Sequence, residues 1–123
     1  MTKPTSILII EDDAAVRLTL TAYLEDSGYL VFEAADGVEG MEVFRRERPA
    51  VVVTDLRMPR LDGRGVIALL KLESPGTPVL VITGTGTEDA HKEAVQLGAR
   101  GCLKKPIDDL AVLVAKIEEI VGE

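Results

Sequence analysis

Aromatic residues and cysteine are scarce in this sequence of 123 residues. It contains two Tyr, two Phe and no Trp, so a hydrophobic core has to be built from Val, Leu, Ile and Ala. The single cysteine, Cys102, has no second thiol in the chain with which to form a disulfide. This excludes a disulfide-stabilised secreted scaffold and favours a protein of a reducing cytoplasm.

Basic residues are fewer than acidic ones, and long apolar runs are lacking. The chain has 14 Lys and Arg against 21 Asp and Glu, a net charge of −7. This argues against a nucleic-acid-binding surface, because phosphate backbones are bound through clustered cations. Apolar runs such as Ile7–Ile10 and Val79–Ile82 are short, whereas a membrane-spanning helix needs about 20 residues. Residues 1–6 lack the apolar stretch of a secretory signal. We therefore expect a soluble, cytoplasmic protein that binds neither a membrane nor, directly, nucleic acid.

Short β-branched runs alternate along the chain with longer segments of helical periodicity. The runs are almost continuously hydrophobic, which is typical of strands covered on both faces. The predicted strands are Ser6–Ile10, Tyr29–Glu33, Ala50–Thr54, Pro78–Ile82 and Gly101–Leu103. The predicted helices lie around Val16–Leu24, Val38–Arg46, Gly65–Leu72, Glu88–Leu97 and Leu110–Val121. Five such βα repeats predict a doubly wound α/β fold, with a parallel sheet between two layers of helices.

The length fits one domain, 1–123, and the chain contains no internal repeat, low-complexity tract or interdomain linker. The sequence ends just after its last predicted helix. It is either a stand-alone domain or one cut from a longer protein, and both alternatives stay open.

Polar residues follow four of the five predicted strands. They are Glu11-Asp12-Asp13 after the first, Asp55 after the third, Thr83 after the fourth and Lys104-Lys105 after the fifth. The carboxyl ends of parallel strands meet at one edge of the sheet, where ligands bind near the point of strand-order reversal. Any one of these residues alone is more often a solvated loop residue, but the combination indicates a site.

Carboxylates brought together in this way repel one another and need a cation to stay ionised. All-oxygen ligands favour a hard cation such as Mg²⁺, whereas His91 and Cys102 do not form a spaced ligand set for zinc. A carboxylate, a hard cation, a hydroxyl and a lysine suit phosphoryl transfer through an aspartyl phosphate. Asp55 is the best acceptor candidate because it stands alone at the end of the central strand.

Five short motifs occur in order along the chain. They are Ile-Leu-Ile-Ile-Glu11-Asp12-Asp13, Val-Thr-Asp55-Leu-Arg-Met-Pro59, Leu-Asp62-Gly63, Val-Ile-Thr83-Gly and Lys105-Pro106. Together they resemble the receiver domain of bacterial two-component response regulators, the CheY-like family, from about Ser6 to Val121. The resemblance implies a (βα)5 fold with a five-stranded parallel sheet in the flavodoxin-like strand order 2-1-3-4-5. It also implies a signalling switch that catalyses only its own phosphorylation and dephosphorylation.

The resemblance implies a metal site for Mg²⁺. Asp12 would bind the ion directly and Glu11 would bind it through a water, with Asp55 and the backbone carbonyl of Arg57 as further ligands. The spacing of five residues from Asp12 to Arg17 matches the family's first-helix arginine and favours the Glu11–Asp12 pair, with Asp13 as the alternative.

The resemblance also implies which residues handle the phosphoryl group. Asp55 would be the phosphoacceptor, Lys105 would contact a phosphoryl oxygen, and Thr83 would be the switch hydroxyl drawn towards it. The peptide bond from Lys105 to Pro106 is typically cis in the family. Side chains two residues beyond the acceptor and the hydroxyl, Arg57 and Thr85, tend to tune the lifetime of the phosphoryl group.

One position departs from the family pattern. Three residues before Lys105 the family usually has Tyr or Phe, which swings inward with the switch, and this chain has Cys102. A thiol cannot make the same large packing change. We interpret Cys102 as a small core residue, in line with the burial preference of free cysteine.

The implied partner is a sensor histidine kinase or a phosphotransfer protein. The response is expected to pass through the fourth strand and helix to the face formed by helix four, strand five and helix five, where an effector domain, a partner or a second copy would bind. Residues 83–87 are glycine-rich, which favours a hinge over a nucleotide-phosphate cradle. The basic clusters Arg45-Arg46-Arg48 and Arg57-Arg60-Arg64 are expected to be solvated, and the second would help a kinase dock.

Two other functions fit the sequence less well. A Mg²⁺-dependent phosphohydrolase usually has a second Asp two residues after its nucleophile, where this chain has Arg57. A flavin- or nucleotide-binding module would have its phosphate loop after the first strand, where this chain has three acids.

Overall fold

The computed structural model describes residues 4–58, 60–84, 88–105, 107 and 109–122. Within these ranges five strands alternate with five helices. The strands are β1 (Ser6–Ile10), β2 (Leu30–Ala34), β3 (Val51–Asp55), β4 (Val79–Thr83) and β5 (Gly101–Lys104). The helices are α1 (Ala14–Asp26), α2 (Gly37–Glu47), α3 (Gly63–Glu73), α4 (Glu88–Leu97) and α5 (Leu110–Val121). No helix in the described ranges is long and apolar enough to cross a membrane.

All neighbouring strands pair in parallel, in the order β2-β1-β3-β4-β5. This confirms the doubly wound α/β fold and the strand order implied by the sequence. The chain moves outward from β1 to β2 and then returns past β1 to β3. The order therefore reverses between β1 and β3, which opens a crevice at the carboxyl ends of these two strands.

The strands bury side chains on both faces of the sheet, which explains why they are continuously hydrophobic. One face packs against α1 and α5 through Ile7, Ile9, Val51, Val53, Leu80, Ile82 and Leu103. The other packs against α2, α3 and α4 through Leu8, Ile10, Val52, Val79, Val81 and Cys102. Because side chains alternate along a strand, a residue's position in this pattern fixes the layer that it faces.

Aspartate side chains set the beginnings of four helices. Asp13, Asp36, Asp62 and Asp109 precede α1, α2, α3 and α5, and each accepts hydrogen bonds from backbone N–H groups of the first turn. These bonds satisfy donors that have no partner within the helix. They explain why α3 begins at Gly63, two residues before the predicted start.

Three strand boundaries were predicted one residue too early, at Tyr29, Ala50 and Pro78. Tyr29 lies in the turn after α1, where its N–H donates to the carbonyl of Leu24 at 3.1 Å, so it is outside the β2 ladder. In α5, the last apolar residue of the predicted helix is exposed. Val121 is 41% exposed and Ile120 is 3% exposed, because position 121 lies about 80° around the helix from the buried Leu113.

Candidate phosphoryl-transfer site

Glu11, Asp55 and Lys105 share one position in the strand pattern. Each lies two residues beyond a side chain that packs under α1 and α5, namely Ile9, Val53 and Leu103. Alternation along the strands therefore brings all three to the same side of the sheet, at its carboxyl edge.

The Lys105 ammonium joins the two acids. Its Nζ donates to Asp55 Oδ2 at 2.7 Å and to Glu11 Oε1. The side chains of Glu11 and Asp55 are only 3% and 11% exposed. Burial raises the pKa of Glu11 above its ordinary value, although Lys105 opposes this rise. Burial lowers the pKa of Lys105, but its bonds to Asp55 and Glu11 outweigh that effect and the net pKa is raised. The lysine is therefore a permanent cation at neutral pH.

Three carboxylates meet at this edge. One oxygen from each of Glu11, Asp12 and Asp55 lies within 4.8 Å of the others. With Lys105 as the cation in contact, the cluster keeps an excess of two negative charges, which a divalent ion matches. The donors are all carboxylate oxygens, as a hard cation such as Mg²⁺ requires. The residues present thus fit the metal that the sequence predicts.

Asp13, the alternative metal ligand, instead forms hydrogen bonds at the start of α1. Its Oδ1 accepts from the N–H groups of Ala15 and Val16 at 2.9 and 3.1 Å, which begins α1. The Asp13 N–H in turn donates to Glu11 Oε2 at 3.0 Å. Asp13 therefore holds Glu11 in place and caps the helix, and it is not part of the carboxylate cluster.

The loop after β3 holds the Asp55 carboxylate. The N–H of Arg57 donates to Asp55 Oδ1 at 3.2 Å, and the N–H of Gly63 donates to the carbonyl of Leu56 at 3.0 Å. A Cβ on Gly63 would overlap the backbone of Asp55 and Leu56, so only glycine allows α3 to begin this close to the acceptor. The part of the Arg57 carbonyl as a metal ligand stays a prediction.

Arg17 supports the other acidic strand end. Its Nη1 donates to the carbonyl of Glu11 at 2.5 Å, and its Nε lies 3.4 Å from Glu33 Oε1 on β2. Sequence reasoning used Arg17 only to place the acidic motif and missed these contacts. The available signal was its position one helical turn inside α1, on the side of the strand ends.

Thr83 and Cys102 lie on the opposite face of the sheet. Thr83 is 3% exposed and follows Val79 and Val81 in the pattern of β4. Its carbonyl accepts from the N–H of Lys105 at 2.9 Å, which links it to the lysine through the main chain. Cys102 is partly buried and packs against the α2–α4 layer, as the interpretation of a small core residue requires. Burial raises the pKa of its thiol.

Two sequence predictions fall outside the described residues. They are the part of the 83–87 hinge formed by residues 85–87, which includes Thr85, and the cis bond to Pro106.

The basic cluster near the acceptor lies at the surface, in line with the prediction of solvated side chains, and two of its members form ion pairs there. Arg60 Nη1 lies 3.2 Å from Asp36 Oδ2, and Arg64 Nε pairs with Glu93 on α4. Arg57 and Arg60 are exposed, and the side chain of Arg64 is 40% exposed. On α2, Arg45 forms two hydrogen bonds with Glu73 of α3, at 2.9 and 2.6 Å.

The chain is similar in sequence to known proteins. Residues 7–118 match the family described as "Response regulator receiver domain". Response regulator MprA from Mycobacterium leprae is 38% identical over 115 residues, which are 94% of this chain and 50% of that protein. Sporulation initiation phosphotransferase F from Bacillus subtilis is 31% identical over 102 residues, covering 83% of this chain and 82% of that protein. The chain spans between 26% and 51% of the length of most of the curated relatives that it matches.

Solved structures give the same result. The chemotaxis protein CheY4 from Vibrio cholerae has a TM-score of 0.89 and 27% identity, over 96% of this chain and 99% of that one. A response regulator receiver domain protein from Clostridium thermocellum has a TM-score of 0.90 and 29% identity, over 96% and 94% of the two chains.

Proposed function

This chain belongs to the response regulator receiver domain family, and from that premise we propose that Asp55 accepts a phosphoryl group in a Mg²⁺-dependent reaction. Receiver domains are regulatory signalling domains that act with histidine kinases or phosphotransfer proteins. The observation that carries the proposal is the largely buried Asp55 carboxylate, 2.7 Å from the Lys105 ammonium and within 4.8 Å of Glu11 and Asp12 oxygens.

The donor is a phosphohistidine of a sensor histidine kinase or a phosphotransfer protein. An Asp55 oxygen forms a bond to phosphorus while the bond from phosphorus to the histidine nitrogen breaks, and the electron pair stays on that nitrogen. Lys105 neutralises charge on the phosphoryl oxygens in a site where burial strengthens the attraction. The N–H of Arg57 orients the attacking carboxylate.

Glu11, Asp12, Asp55 and the Arg57 carbonyl would hold Mg²⁺, which supplies positive charge for the equatorial phosphoryl oxygens. Asp13 and Arg17 keep Glu11 in position through its Oε2 and its carbonyl oxygen.

The response passes from the phosphoryl group to α4. Thr83 is the switch hydroxyl of this route: it ends β4, and its carbonyl accepts from the Lys105 N–H. A dianion beside Lys105 and Thr83 would favour one arrangement of the β4–α4 segment over another. The face of α4, β5 and α5 would then bind an effector domain, a partner or a second copy of the chain.

The test is phosphorylation by acetyl phosphate with and without Mg²⁺, followed by the mass of the intact protein. We expect one phosphoryl group in the presence of Mg²⁺ and none in Asp55→Asn. Asp26→Asn is the matched control, because Asp26 is an exposed acid at the far end of α1. Equal labelling of Asp55→Asn and the unmodified chain would overturn the proposal.

A further inference from the structure

A cleft of about 560 Å³ opens between α1 and the segment that leads into α5. Its walls are mostly apolar and include Val16, Leu20, Ile82, Ile107 and Leu110. The site of phosphoryl transfer described above uses none of these side chains. The volume lies within the range of small-molecule sites, which are typically lined by hydrophobic residues with a few polar groups.

The cleft shares a residue with the proposed acceptor site. Lys105 lines the cleft, and its Nζ is the atom that contacts Asp55 Oδ2 at 2.7 Å. Ile82 also lines the cleft, and it is the β4 residue paired with Asp55 in the sheet register. Lys105 and Ile82 therefore link the apolar space to the proposed acceptor, on the α1 and α5 side of the sheet.

We propose that this cleft binds the hydrocarbon part of a small acyl phosphate donor, so that the chain prefers donors with an acyl group longer than acetyl. The inference rests on the proposed function of Asp55. A phosphoryl dianion with an apolar tail matches the composition of the walls, because the Lys105 cation lines the cleft together with aliphatic side chains. Acetyl phosphate has one methyl group to place there, and a butyryl or benzoyl group fills more of the space.

The transfer step is balanced without another reactant. An Asp55 oxygen forms a bond to phosphorus, and the bond between phosphorus and the acyl oxygen breaks. The acyl group leaves as a carboxylate that keeps the electron pair of that bond. The product is an aspartyl phosphate, and no net proton transfer or change of oxidation state occurs.

The experiment compares acetyl phosphate with butyryl phosphate. Their leaving groups have nearly the same acidity, so a difference in rate reports binding of the chain rather than reactivity. Initial rates are measured from intact-protein mass with Mg²⁺ in excess and donor below saturation. Burial of two further CH₂ groups predicts a rate ratio of about 10 in favour of butyryl phosphate. A ratio near 1 would overturn the inference.

Two leucine variants on α1 locate the effect. Ala15 lines the cleft, whereas Ala22 is exposed on the same helix and does not line it. We expect Ala15→Leu to bring the ratio of butyryl to acetyl rates below 3, because the larger side chain occupies the space (about two thirds of the gain in CH₂ burial is lost). Ala22→Leu should keep the ratio of the unmodified chain. An Ala15→Leu ratio equal to that of Ala22→Leu would contradict the assignment.

The outcomes separate this inference from the proposal on which it rests. If acetyl phosphate labels Asp55 and the butyryl ratio is near 1, the cleft does not select donors and the phosphoacceptor function still stands. If neither donor labels Asp55 in the presence of Mg²⁺, the proposed function itself fails. If Ala15→Leu impairs transfer from a phosphorylated protein while the donor ratio is near 1, the cleft serves a protein partner and the inference is wrong.

Discussion

The buried hydroxyl of Thr21 gives a sharp prediction about stability. Thr21 is 6% exposed, and among the described residues its Oγ1 has no hydrogen-bond partner. Valine has nearly the same shape, and its intrinsic helix propensity is close to that of threonine. Replacing an unsatisfied hydroxyl by a methyl group removes a desolvation cost of about 1–3 kcal/mol. We therefore expect Thr21→Val to raise the free energy of unfolding by about 1–2 kcal/mol.

The matched control is on the same helix. Thr19 is exposed, and its Oγ1 donates to the carbonyl of Ala15 at 2.9 Å. Thr19→Val loses this bond without relieving a buried group, so we expect a change within about 0.5 kcal/mol of zero. Urea denaturation at constant pH, with the midpoint and slope fitted together, measures both variants. A Thr21→Val protein that is no more stable than Thr19→Val would refute the reasoning and would mean that Thr21 has a partner, such as an ordered water.

Three further predictions concern packing and charge. Gly37→Ala should destabilise the fold by about 2 kcal/mol in urea denaturation, because a Cβ there would overlap the backbone carbonyl of Leu61. Cys102 should react with iodoacetamide at neutral pH more slowly in the folded than in the urea-unfolded chain, because burial raises its thiol pKa. NMR titration should find the pKa of Glu73 below its ordinary value because of Arg45. The ion pair therefore stabilises the fold at pH values above that ordinary pKa, and this stabilisation is lost as the pH falls through the lowered pKa.

Each of these predictions has a control. Gly76 has open space around it, so Gly76→Ala should change stability little, and equal losses in both glycine variants would contradict the packing argument. For the thiol, equal rates in the folded and unfolded chains would show that Cys102 is accessible. For the ion pair, Arg45→Gln should raise the Glu73 pKa towards its ordinary value, and an unchanged pKa would exclude Arg45 as the main cause.

The fold was predictable from the sequence because each strand is a short β-branched run. These runs alternate with helical segments, and this alternation is typical of a parallel sheet between two layers of helices. The first and last residues of the strands and helices were less predictable. Tyr29 continues the hydrophobic pattern of β2, but its N–H is bonded to the end of α1, a contact that periodicity does not reveal. Val121 has the residue type of a core position, and only the helical angle relative to Leu113 places it outside the core.

The candidate site was predictable as a set of strand ends, and its internal contacts were not. Strand order and alternation bring Asp55 and Lys105 together; the alternation follows from the sequence pattern, and the strand order is what the family resemblance implies. Asp12 belongs to the carboxylate cluster, whereas Asp13 caps α1. Which of the two residues caps the helix depends on the backbone geometry at its start. The bond from Arg17 to the Glu11 carbonyl likewise depends on how α1 crosses the sheet.

The pleat of the sheet has a consequence for how this molecule transmits information. Glu11, Asp55 and Lys105 lie on the α1 and α5 side, whereas Thr83 and Cys102 lie on the side that packs against α4. The reacting carboxylate and the helix that would report its modification therefore pack on different faces of the sheet. The passage between them is the end of β4, where the main chain joins Lys105 to Thr83. Substitutions there are expected to uncouple input from output while leaving each side intact.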